Sequence, residues 1–187
     1  MNKQAPLAGL RVIESSILGP AAITTSFVDL GAEVIKVESP SGDYIREMTW
    51  PIIEGTSLMH YHLNRGKKSI TLDLKQEEAR QIYRDLVKDA DVVIEASKPG
   101  ALAKYGLGYE DLKKINPKIV FITVSGYGMS GPYRDMPSHG IAYDTWAGAV
   151  TPAYDDEGFC YIPEHVRIGI HAAPLFGGLA VLAGVIR

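Results

Sequence analysis

The chain has 187 residues, 46% apolar and 22% charged, with a formal net charge of -3 and one cysteine, Cys160. That length and balance suit one globular domain with a sizeable core, and a small negative charge argues against a nucleic-acid footprint. A lone cysteine excludes an intrachain disulfide and suits a reducing, cytoplasmic setting; with no apolar h-region and no run of about 20 uninterrupted apolar residues, neither export nor membrane spanning is expected.

Residues 10–13 form a short apolar run between Gly9 and the polar Glu14-Ser15-Ser16, and residues 34–37 form a second. Between them lies a helical stretch that Gly19-Pro20 opens and Gly31 closes, so residues 9–38 predict one βαβ unit and a parallel α/β sheet. The turn over residues 15–20 then falls at the carboxyl end of the first strand, where open α/β folds bind ligands. It lacks the G-x-G-x-x-G spacing, which disfavours a dinucleotide held on glycine amides.

Residues 39–43 read as a turn in which Asp43 can cap a short helix over 44–48, and the irregular stretch around Trp50-Pro51 and Gly55 follows. Asn64-Arg65-Gly66-Lys67-Lys68 is the densest basic patch; it suits either phosphate binding or a solvated turn before a strand at 69–74. An amphipathic helix is predicted over 77–88, with Ala79, Ile82, Tyr83 and Leu86 inward, then a buried strand at 91–95 and a turn at 96–100. A helix at 109–115, a strand at 119–124 and a glycine-rich loop at 125–132 come next.

His139, ahead of a predicted helix at 141–147, is a candidate proton carrier or a helix cap, and Asp144 has at most a minor role. His171 is a candidate base or a packing histidine at the start of a buried helix, with Pro174 one turn in. Trp50 and Trp146 are read as packing residues. The five histidines and one cysteine lack zinc spacing, and Asp155-Asp156-Glu157-Gly158 lacks the further acids of a calcium loop, so no metal is expected.

The strings PLAGLRVIE, ILGP and DLGAEVIKVESPSGD, then LNRGKKSITLDLK, the long stretch from ADVVIEASKPG to SGPYRD, and LAVLAGVIR resemble the class III CoA-transferases. That family includes formyl-CoA transferase, carnitine CoA-transferase and the related α-methylacyl-CoA racemase. The resemblance implies a parallel, Rossmann-like sheet flanked by helices. It makes residues 1–187 the N-terminal part of a CoA-binding large domain, with the small domain and the C-terminal return outside this chain.

It also implies transfer of coenzyme A between carboxylic acids by a cytoplasmic homodimer, with an acyl-CoA and a carboxylic acid as partners and no metal, nucleic acid or membrane. An acyl-CoA racemase or isomerase using His139, or a CoA-binding homologue without turnover, is the alternative. The positions implied to contact CoA are Ser16, Ile17, Leu18, Leu72, Lys75, Ala96, Ser97, Lys104 and Tyr105. Ala96 and Lys104 stand where the family usually has asparagine and arginine, which alters the detail of that contact. The nucleophilic aspartate of the transferases is implied at Gly169 or Ile170, neither a carboxylate; a shift of one residue brings His171, which with His139 completes the candidate catalytic pair.

Overall fold

The computed structural model describes residues 4–137 and 139–187. In chain order the elements are β1 (Arg11–Ser15), α1 (Ala21–Asp29), β2 (Glu33–Glu38), a 3-10 turn (Tyr44–Glu47), β3 (Pro51–Ile53), β4 (Thr56–Ser57), α2 (Leu58–Asn64) and β5 (Lys68–Thr71). Then come α3 (Glu77–Lys88), β6 (Val92–Glu95), a second 3-10 turn (Ala103–Tyr105), α4 (Tyr109–Ile115), β7 (Val120–Thr123), α5 (Gly140–Trp146), β8 (Ala153–Tyr154), β9 (Cys160–Tyr161) and α6 (Ile168–Ile186).

Five strands make one parallel sheet in the order β5-β2-β1-β6-β7, with Val12 opposite Val34 on one side and Val92 on the other. The order reverses between β1 and β6, so the carboxyl ends of those two strands flank the switch point of a doubly wound fold. Alternation along the strands divides the core. Val12, Val34, Val92 and Ile94 pack with Ile23, Phe27 and Val181 under α1 and α6, while Ile13, Ile35 and Val93 pack with Ala79, Tyr83, Val87 and Leu112 under α3 and α4.

Local signals account for most of these boundaries. α1 ends in a Schellman arrangement: Gly31 N–H donates to the Val28 carbonyl and Ala32 N–H to the Phe27 carbonyl, with Gly31 at φ +98. Asp43 accepts the Ile45 N–H and caps the first 3-10 turn as expected. In α3 the inner stripe is Ala79, Tyr83 and Val87, spaced by four; Ile82, expected inward, is exposed, because the helix presents the 79/83/87 row to the sheet.

Three further expectations are corrected. Residues 50–64 are not plain loop but the β3–β4 hairpin and α2, whose start is capped by Ser57 accepting the His60 N–H. Trp50 and Trp146, both expected to pack, are 79% and 57% exposed, although Trp146 lies edge-on to Tyr127 and Tyr133. The final helix begins at Ile168, so Pro174 lies inside it; of its residues only Val181 is fully buried, and Leu175, Phe176 and Leu179 face outward. With a mean hydropathy of 1.8 over a membrane-spanning length, α6 nevertheless packs on α1, α5 and β7 within this fold.

Candidate functional site

The parity that puts Val12 and Val34 under α1 also puts Glu14, Lys36 and Glu38 on that face, at the carboxyl ends of their strands, with Glu14 and Lys36 in direct register. Glu14 is fully buried. Its Oε1 takes the Lys36 ammonium at 3.2 Å and the Ser16 hydroxyl at 3.1 Å; its Oε2 takes Lys67 at 2.8 Å and the Thr24 hydroxyl. Lys36 also meets Asp43 at 3.0 Å and donates to the Ser16 carbonyl, which pins the turn leading to Ile17 and Leu18. Burial pushes the Lys67 ammonium down to about 8 against the opposing pull of Glu14.

Next to this network, burial alone would raise the Glu38 carboxyl. Hydrogen bonds from Arg46 (2.7 and 3.1 Å) and Ser69 (2.6 Å) overcome that and bring it from 4.5 to about 2. A depressed carboxyl contributes stability that is complete above its unfolded value and is lost as pH falls from about 4.5 towards 2. Arg46→Gln is therefore expected to move the acid unfolding midpoint, followed by circular dichroism, to higher pH. An unmoved midpoint would mean Glu38 does not depend on Arg46.

A cavity of about 630 Å³ opens above the switch point. Its walls are Ile17, Leu18, Gly19 and Pro20 after β1, residues 96–99 after β6, residues 124–127 after β7, then residues 134–137, His139, Gly140 and Tyr143. Gly169, Ile170, Ala172 and Ala173, from the first turns of α6, close it. Gly19 is tight against that helix: a Cβ there would lie 2.9 Å from Ile170 Cγ1. Edge-to-face contacts of Tyr127 with Tyr143 and Trp146 hold the glycine-rich loop on α5 and stiffen the outer wall.

The start of α6 is anchored by a side chain to which the sequence assigned little. Asp144, 2% exposed, accepts the Gly169 N–H at 2.7 Å and meets His165 Nε2 at 3.2 Å, while His165 Nδ1 faces the Pro163 carbonyl at 3.0 Å. The carboxylate thus serves a free donor of the first turn from a neighbouring helix, and its charge suits the positive end of the helix. It fits because residue 169 has no side chain: a Cβ there would stand 3.0 Å from Asp144 Oδ1. No sequence pattern marks this, since the cap and the capped helix are 25 positions apart.

Of the residues singled out by sequence, Ile17, Leu18, Ala96, Ser97 and His139 line this cavity together. Ser16 lies just beneath it, buried against Glu14. Leu72 is in the core under α3, and Lys75, Lys104 and Tyr105 are exposed off the cavity wall, with the Arg80 guanidinium 5.8 Å from the Tyr105 ring centre. His171 lines a separate pocket of about 430 Å³ with Glu164, His165 and Arg167, so it does not share a cavity with His139. The basic patch is spent inside the chain: Arg65 on Asp29, Lys67 on Glu14, Lys68 on Glu33. Lys98 and Arg134, on the cavity wall, were not singled out although both sit in the quoted motifs. Among the described residues, no group of three or more possible metal ligands occurs.

A cavity at the carboxyl edge of a doubly wound sheet, with apolar walls and cations at its margin, is shared by many folds, and comparison with known proteins narrows it. The family model for CoA-transferase family III matches residues 7–187. The chain belongs to that family.

Relatives include the succinate–glutarate CoA-transferase of Agrobacterium fabrum, 37% identical over 98% of this chain and 47% of its own length, and the mouse succinyl-CoA:glutarate CoA-transferase, 38% identical over 100% and 43%. The crystal structure of Mycobacterium tuberculosis Rv3272 superposes with a TM-score of 0.87 at 37% identity, covering 97% of this chain and 51% of that one. A CAIB/BAIF family protein from Brucella suis gives 0.84 at 37% identity, covering 98% and 50%. The chain spans about half the length of the relatives it matches. The parallel, helix-flanked sheet expected from the sequence is the family's architecture.

Proposed function

We propose that this chain forms the CoA-binding face of an enzyme that moves coenzyme A from an acyl-CoA to a carboxylic acid. The observation that carries this reading is the cavity at the β1/β6 switch point in a chain of CoA-transferase family III. Ile17, Leu18, Ala96 and Ser97 offer backbone and apolar contact to the pantetheine arm and thioester, and His139 stands on the same wall as a proton carrier. Lys75, Lys104 and Tyr105, exposed off the cavity wall, are assigned to the nucleotide end, while Leu72, buried in the core under α3, is left out of that contact. The working unit is proposed to be a cytoplasmic homodimer, of which residues 1–187 are the N-terminal part of the large domain, acting without metal, nucleic acid or membrane.

Transfer through an enzyme-bound thioester needs a carboxylate on the wall. At the positions where the resemblance implies it, this chain has Gly169 and Ile170, and the space beside Gly169 is taken by the anchoring carboxylate of Asp144. A second reading, an α-carbon racemase or isomerase with His139 as base, fits that histidine better and the missing carboxylate no better; His171, in the other pocket, is badly placed to assist. The two readings separate cleanly. A transferase should accumulate a hydroxylamine-sensitive protein–CoA intermediate with an acyl-CoA, and a racemase should wash deuterium into the acyl α-carbon in heavy water. Binding with neither signal would leave a CoA-binding protein without turnover.

A further inference from the structure

Both ring nitrogens of His165 face acceptors: Nε2 stands 3.2 Å from Asp144 Oδ2, and Nδ1 3.0 Å from the Pro163 carbonyl. A neutral imidazole has one N–H and one lone pair, so in either tautomer one nitrogen would turn its lone pair onto an oxygen; only the imidazolium donates to both. The two side chains are 16% and 3% exposed, which leaves little room for water to share the contact. Charged and titratable groups around the ring are Asp144 from α5, His171 from α6, and Glu164 and Arg167 on its own segment. Of these, only Asp144 lies within ion-pair distance of it among the described residues. Asp144 spends its other oxygen on the Gly169 N–H at 2.7 Å. One residue on, the Ile170 side chain fills space that two glycines leave: a Cβ on Gly19 would lie 2.9 Å from Ile170 Cγ1, and one on Gly140 would lie 3.7 Å from Ile170 Cβ. Gly19, Gly140 and Ile170 all line the larger cavity, so a proton on a ring outside that cavity is connected through one carboxylate to its wall.

We propose that His165 is a positioning residue whose imidazolium holds the Asp144 carboxylate on the Gly169 N–H and so seats Ile170 in the cavity wall, and that loss of its proton loosens the first turn of α6 and weakens ligand binding. The proton leaves to solvent through the smaller pocket, which the ring lines. Whichever nitrogen keeps the remaining hydrogen, the buried carboxylate then has no counter-charge and is drawn towards water, away from Gly169. Binding is therefore strongest below the range, about pH 5 to 8, in which histidine loses its charge, and falls as pH rises through it. The proposal rests on the acyl-CoA reading above only for the choice of ligand.

The test compares intact wild type, His165→Gln and Asp144→Asn at about pH 5.5 and about pH 8.5, on either side of that range. Two quantities are read: protection of the Gly169 amide against hydrogen exchange, corrected for the intrinsic rate and followed by NMR, and calorimetric affinity for free CoA. Wild type is expected to lose about tenfold in protection and about threefold or more in affinity at the higher pH. His165→Gln, which never carries the charge, should show the weaker values at both pH values. Asp144→Asn keeps an acceptor for Gly169 without needing a counter-charge, and should hold the stronger values at both. Titration of CoA itself is common to the three proteins and drops out of the comparison. A His165 ring that is neutral at the lower pH in nitrogen-15 spectra, or Gly169 protection that does not change with pH in wild type, would overturn the proposal. Protection that falls while affinity stays constant would confine His165 to stability and overturn the positioning role. Wild type that binds no CoA at either pH removes the acyl-CoA reading, a distinct failure, and the Gly169 protection still decides whether His165 controls α6.

Discussion

Glu14→Ala is expected to destabilise the fold by about 3–5 kcal/mol, the range for removing one partner of a buried ion pair. The carboxylate is fully buried and is shared by Lys36 and Lys67, whose side chains are 2% and 1% exposed. Removing it strands two buried ammonium groups: Lys36 keeps Asp43 as its ion-pair partner, whereas Lys67 is left with the neutral Ala21 carbonyl and Asn64 Oδ1. The sign of the pH dependence follows from Lys67, whose folded value already lies at about 8 against 10.5 when free. Below 8 its burial penalty is present in full. Between 8 and 10.5 the unfolded chain binds more protons than the folded one, so stability gains as pH rises. Without Glu14 the folded value drops further, and the variant's deficit relative to wild type should shrink between pH 7 and pH 9 as the stranded amine sheds its proton. Urea denaturation at the two pH values measures this; a deficit under about 1 kcal/mol at pH 7 would mean water reaches the network.

Asp144→Ala should lose about 2–3 kcal/mol and, more tellingly, disturb ligand binding at a cavity the side chain does not line. It frees the Gly169 N–H and the His165 ring together, and Gly169 and Ile170 are part of the cavity wall. Asp144→Asn keeps an acceptor for Gly169 and should recover most of the binding with less of the stability, because the charge opposite the helix dipole is gone. Thermal melts paired with acyl-CoA titrations check both effects. Lost stability with unchanged binding in Asp144→Ala would show that the first turn of α6 holds its place without the carboxylate.

The strands and helices that build the sheet were legible because each carries its own local signal: the apolar runs of β1 and β2, the Pro20 and Gly31 punctuation of α1, the spacing in α3. The β3–β4 hairpin and α2 were not, because their short segments derive their order from packing against the first 3-10 turn and α1. Site residues followed the same division. Those on turns directly after strands, such as Ile17 and Ser97, were found by topology, whereas Arg134 and Asp144 matter through partners that the sequence does not pair with them, Pro99 and Gly169. The basic patch misled for the complementary reason: its charges look free until their carboxylates arrive from α1, β1 and β2.

The strand order carries a kinetic consequence. β1 can meet β2 early, across one short crossover, but its other edge is filled by β6, with the Arg11 N–H bonded to Asp91 across 80 positions of chain. Closing so long a loop loses chain entropy before any contact repays it, so joining the two halves of the sheet is the slow step of assembly. Until it happens the ligand cavity does not exist, since one wall belongs to each half. Substitutions at Val12 or Val92 should therefore slow folding, while those on the outer strand β7 should chiefly quicken unfolding.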